Sequence, residues 1–229
     1  MNTVLMMNSK NQLHKTKEQG AGTPAIIRLL ASFFSYLFHP VFIPLYIVGF
    51  MVYEHPYLFA GFAPKEKILV VAQAFAMFTF FPLVTVILLK ALKFIESFHL
   101  ATQKDRIIPL VACGVWYFWI WYVWRNLPDY PKPAVQLAMA VWITASLGLM
   151  ANIYMKISLH AMSLGVMVAF ILLLAFSQPL NFGIYISVSL LIAGIVCTSR
   201  FIVSDHSAKE LYGGLLVGII SMLIASWLG

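Results

Sequence analysis

Charge is scarce in this chain. Only 10% of its 229 residues are Asp, Glu, Lys or Arg, and just eight are acidic. So little polar surface excludes a water-soluble domain of this size. With 62% hydrophobic residues and a mean hydropathy of +0.89, the composition is that of a polytopic membrane protein. Cysteine is nearly absent: Cys113 and Cys197 both lie in apolar runs, read as small core residues, and carry no message about redox compartment. Residues 1–24 have neither the apolar core nor the small-residue cleavage site of a secretory signal, and their Lys10, Lys15 and Lys17 suggest a disordered basic tail. Internal repeats and a second domain are also missing. The net charge of +7 sits in loops, where it suits anionic headgroups and phosphate; no nucleic-acid partner is expected.

What the chain has is apolar length. A spanning helix needs about 20 apolar residues, and candidate spans fall at 29–53, 68–89, 107–124, 134–153, 161–176, 182–198 and 211–228. The first is interrupted by His39-Pro40 and Pro44, so it is expected to kink or re-enter. The third carries Trp116, Tyr117, Trp119, Trp121, Tyr122 and Trp124 toward one end, an interfacial aromatic belt. The expected fold is all-α: one polytopic transmembrane helix bundle of six to seven spans over 25–229, in the cell (inner) membrane.

Polar loops follow the second, fourth and sixth spans, and parity opens all three on one side of the membrane. Together they carry His99, Lys104, Asp105 and Arg106; Lys156, Ser158 and His160; and Arg200, Asp205, His206, Lys209 and Glu210. Arginine's fork and lysine's point charge suit an anion. Two histidines can supply a nucleophile and an acid. If a helix begins near Asp205, His206 and Glu210 stand at i and i+4, where the carboxylate can orient the imidazole. Each residue also has a plainer reading. Ser158 can be a helix cap, Lys156 and Lys209 snorkelling lysines, Asp105 a partner of Lys104 or Arg106, and His39 part of a structural kink or a gate for lipid.

Ser199, Arg200, His206 and Glu210 resemble the Ser-Arg-x5-His-x3-Asp motif of the type 2 phosphatidic acid phosphatase and vanadium haloperoxidase superfamily, with Glu for Asp. Ser158 and His160 are similar to its Pro-Ser-Gly-His motif, with Leu159 where Gly is usual and no preceding Pro. Arg106, followed by Ile107-Ile108-Pro109, resembles the end of Lys-x6-Arg-Pro; His99 stands where the motif's Lys would be, and Lys104 stands in for the cation. The pattern looks like that of a divergent bacterial branch of the family. The resemblance implies a lipid-phosphate phosphatase core acting on a phosphomonoester or diphosphate of a membrane lipid, through a phosphohistidine and without a cofactor or metal. It implies that His206 is the nucleophile, Glu210 its orienting acid and His160 the acid and base. Lys104, Arg106, Lys156, Ser158 and Arg200 would bind the phosphoryl oxygens.

Two other functions share these residues. A lipid-phosphate binding or carrier protein would keep the anion pocket without turnover. An intramembrane zinc hydrolase would use His99, His160 and His206, although arginines beside a dication are unfavourable and no His-Glu-x-x-His helix is present. Sidedness stays open. Eleven Lys and Arg, tail included, fall on the site's face and four (Lys65, Lys67, Arg125, Lys132) on the other, which by the positive-inside rule makes the site cytoplasmic. Family members usually face the periplasm or lumen.

Overall fold

A computed structural model of the protein describes residues 3–7, 13–17, 23–95, 103–204 and 206–229, the first two segments as backbone only. Those two, β1 (Thr3–Met7) and β2 (Leu13–Lys17), pair antiparallel with Thr3 opposite Lys17, within the segment expected to be a disordered tail. From Ala25 onward the described chain is helical. Six helices are long and apolar enough to cross a membrane: α3 (Pro64–Ala91), α4 (Gln103–Arg125), α5 (Lys132–Tyr154), α6 (Leu159–Ser177), α7 (Gly183–Val203) and α8 (Ala208–Leu228). Helices are the natural solution, since each closes its backbone hydrogen bonds within itself where no water is available. Ahead of them stand two shorter apolar helices, α1 (Ala25–Leu37) and α2 (Ile43–Glu54).

The six long helices match the six later spans expected from the sequence, but they run past the apolar stretches at the polar ends. Arg106 lies on the first turn of α4 and Arg200 on the last turn of α7, so both arginines are held by helices and not by loops. The first expected span is a hairpin. Pro40 cannot donate to a helical ladder, so α1 stops at Leu37. A turn carried by Phe42 N donating to His39 O (2.8 Å) follows, and α2 opens with Pro44 in its first turn.

Two contacts fix the direction of each leg. At the end of α1, Ser35 O meets His160, near the start of α6. Beyond the end of α2, His55 Nε2 meets Gln178 Oε1 at 2.8 Å, just past the end of α6. The stretch 39–55 therefore runs alongside α6 over its whole length. α1 runs parallel to α7 toward the site over about 20 Å, short of the apolar thickness of a bilayer.

The most enclosed helix is α6, 67% buried along its apolar window against 17–44% for the other five. It packs tightly on α8 because both carry glycine at the crossing. A Cβ on Gly218 would lie 2.0 Å from Met162 O, one on Gly165 2.3 Å from Leu215 O, and one on Gly214 2.7 Å from Ser158 O. Gly214 and Gly218 form the small-xxx-small spacing that lets membrane helices approach closely. Their crossing draws the start of α6 against the start of α8, which is where the polar residues gather.

Candidate functional site

The site is built around the first turn of α8. Ser207 caps this helix: its Oγ accepts from Glu210 N (3.3 Å), while Glu210 Oε2 accepts from Ser207 N (2.8 Å). The helix thus starts at Ala208, and His206 stands just ahead of it instead of on its face. The reciprocal cap nevertheless folds Glu210 back, and the same Oε2 lies 3.4 Å from His206 Nδ1. A carboxylate can only accept, so Nδ1 carries the proton and the Nε2 lone pair is left for chemistry. His206 itself is only 5% exposed.

The start of α6 faces it. Ser158 caps α6 through Oγ, which accepts from Ala161 N at 3.4 Å, and it is fully buried. Its plainer reading as a cap is what its geometry shows. His160, in the first turn, has Nε2 3.1 Å from Ser35 O. A carbonyl accepts only, so this nitrogen holds a proton and Nδ1 is the one able to exchange another. The ring of His39 meets that of His160 edge-on, with centroids 5.3 Å apart.

Four bonds join the elements. Ser158 N donates to Glu210 O (3.1 Å), tying the α5–α6 connection to α8. Buried Arg106 donates through Nη1 to Ile157 O, tying α4 to the same connection. Gln103 and Asn152 exchange side-chain to backbone bonds at 2.8 Å in both directions, fastening α4 to the end of α5. The polar ends of α4, α5–α6 and α7–α8 therefore do meet at one face. Arg106, Lys156, Ser158, His160, Arg200, His206 and Glu210 belong to this cluster. Lys104 stands exposed on the first turn of α4 and Lys209 exposed on α8, with no contact to the cluster among the described residues. Ser199 turns its hydroxyl back onto Ile195 O (2.8 Å). His99 and Asp205 lie outside the described residues.

Charge here is unbalanced toward positive. Burial pushes the His206 imidazole down to about 4 from 6.5; Arg106, Arg200 and Lys156 add to the shift, and Glu210 opposes it. His39 is likewise lowered to about 4, first by burial and then by Arg200. Both are neutral at neutral pH. Three buried side-chain polar atoms lack a hydrogen-bond partner among the described residues, Ser35 Oγ, Asn152 Oδ1 and Arg200 Nε, and all three side chains sit at this end of the bundle. Two of them are donors. Buried donors among cations match an oxyanion. Among the described residues no three His, Cys, Asp or Glu side chains converge to hold a metal ion.

Two members of the cluster were not placed in it from the sequence. The sequence alone makes His39 part of a kink or a gate for lipid. Its signal, an ionisable side chain inside an apolar run, marks functional positions in membrane proteins. Ser35 carried no signal, because its role depends on a backbone carbonyl meeting a residue 125 positions away. The chain matches no protein-family model, and no curated protein or solved structure is significantly similar to it.

Proposed function

We propose that this protein is a membrane-embedded phosphatase that removes phosphate from a lipid phosphomonoester or diphosphate, with a core like that of the type 2 phosphatidic acid phosphatases. The observation that carries this reading is the set of charges acting on His206: Arg106, Arg200 and Lys156 on one side of the balance, Glu210 on the other, around a neutral imidazole. Such a ring attracts a phosphoryl group and leaves the nucleophile unprotonated. The unpaired Nε of Arg200 supplies a donor for a phosphoryl oxygen.

In this scheme His206 Nε2 attacks phosphorus, forming a P–N bond as the P–O bond to the lipid breaks, while Glu210 stabilises the imidazolium through Nδ1. A phosphomonoester with second pKa about 6 can arrive as the monoanion, bringing its own proton. His160 Nδ1 takes that proton, returns it to the leaving oxygen, and then activates the water that cleaves the P–N bond. Its other nitrogen stays on Ser35 O throughout.

The test is a thermal melt of the purified protein with and without orthovanadate, beside phosphate release from phosphatidate. Ligand at about 100 times its dissociation constant should stabilise the wild type by roughly 2.7 kcal/mol. Arg200→Ala should erase that shift, and His206→Asn should abolish release. A vanadate shift without turnover on any lipid phosphate would identify a binding protein. No shift at all would remove the anion pocket.

A further inference from the structure

The imidazole of His160 is held by one hydrogen bond among the described residues, between Nε2 and Ser35 O at 3.1 Å. One bond fixes one nitrogen. The ring can still pivot about that atom, and a pivot carries Nδ1, the nitrogen free to exchange a proton, off its line to a reacting oxygen. A second constraint comes from the same hairpin. His39, four residues after Ser35 and just beyond the end of α1, meets the His160 ring edge-on, with 5.3 Å between centroids and 81° between planes. Edge-to-face packing is directional, so it resists the pivot that the hydrogen bond allows.

His39 is itself anchored to the bundle. Its Nδ1 accepts from Val41 N (3.5 Å), and Val41 O accepts from the hydroxyl of buried Thr79 in α3 (3.0 Å). Phe42 adds a second ring edge-on, 6.3 Å away, and Pro40 fixes the backbone dihedral next to it. None of these contacts passes through His160, so the bracing ring is placed independently of the ring it braces. The bond from Val41 leaves the proton of His39 on Nε2. The ring stays neutral beside Arg200, and so adds no charge that would oppose a proton on His160.

We propose that His39 is a positioning residue for His160: its ring sets the plane of the His160 imidazole, so that Nδ1 keeps its line to the leaving oxygen and to the attacking water. The assignment rests on the phosphatase reading for the reaction that His160 serves. His39 acts by shape and carries no proton of the reaction. A tilt that moves Nδ1 by about 1 Å is enough to cost about 10²-fold in rate.

The experiment uses the full chain in detergent and two substitutions that divide what His39 does. His39→Asn keeps an acceptor for Val41 N and a turn-forming residue before Pro40, but has no ring. His39→Phe keeps a ring and loses the acceptor. His39→Asn should lower kcat on phosphatidate by about 10²-fold with KM little changed, the pattern of a contact needed only in the transition state, and His39→Phe should recover most of the loss. Nitrophenyl phosphate has a leaving group that departs without a proton. On it His39→Asn should release the first equivalent of nitrophenol at the wild-type rate, then stall at the phosphohistidine, where water activation needs His160. Nitrogen NMR of isotopically labelled histidine, with His160→Gln for assignment, reads the ring without turnover. It should show one tautomer protonated at Nε2 in the wild type and in His39→Phe, and an averaged signal in His39→Asn. His39→Ala takes the place of His39→Asn should the latter fail to fold. An unchanged His160 signal in the ringless variant would overturn the proposal, as would unchanged phosphatidate turnover. Equal loss in His39→Phe would also overturn it, since His39 would then be carrying a proton. A first equivalent slowed as much as phosphatidate would mean a disturbed fold and would sink it too. An averaged signal in a protein whose wild type hydrolyses neither ester would uphold the bracing of His160 and refute the phosphatase reading.

Discussion

Replacing Gly218 by alanine should separate the two halves of the site from a distance. Its Cβ would stand 2.0 Å from Met162 O, 2.9 Å from Val166 N and 3.0 Å from Gly165 Cα, all backbone of α6. No side chain can rotate away to make room, so the helices themselves must part. Restoring 3.0 Å to the nearest atom requires about 1.0 Å of movement. Met162 is two residues from His160, and Gly218 is eight residues from Glu210, about 12 Å along α8. The opening therefore reaches the bond between Ser158 N and Glu210 O, now 3.1 Å, and the placement of His206 relative to His160. Overpacking of this kind costs typically about 1–3 kcal/mol, and a misplacement near 1 Å costs about 10²-fold in turnover. Both are measurable, by thermal melting in detergent and by phosphate release from phosphatidate. Gly114→Ala is the control, since a Cβ there meets nothing within 4 Å and the change should be neutral or stabilising. If Gly218→Ala melts and turns over like the wild type, the α6–α8 crossing is not what aligns the site.

Glu210→Gln keeps the reciprocal cap with Ser207, which Gln also forms, but removes the charge from His206; the melting temperature should hold while turnover falls by about 10²-fold or more. Loss of both together would mean that the carboxylate serves only the helix. Arg106→Ala should destabilise the protein even without ligand, because a buried donor to Ile157 O is lost, whereas Arg200→Ala should be neutral or stabilising there; equal melting of the two variants would contradict their separate roles. His39 and His206 are neutral when folded and titrate near 4, below the ordinary 6.5. The unfolded chain binds more protons in that window, so their contribution to stability is complete above 6.5 and is lost as pH falls toward 4. Activity needing neutral His206 should accordingly persist at pH 5.5, and a profile falling through 6.5 would refute the lowered value.

The membrane class, the six long helices and the meeting of the polar ends on one face were legible in the sequence. They depend on apolar length and on parity, which are local or countable properties. The pair His206 and Glu210 was legible too, since four residues of spacing suffice, although the contact arises through a capping box and not through a shared helix face. The close α6–α8 crossing left a trace in Gly214 and Gly218 that only the facing backbone of α6 makes decisive. Tertiary structure alone decided the rest. It turned 25–54 into a hairpin, because Pro40 ended one helix but could not say which way the next would run. The same turn brought Ser35 and His39 to His160 across more than a hundred residues, and the packing of α4 left Lys104 in the open. Those outcomes depend on which helices pack together, and no local pattern of residues carries that information.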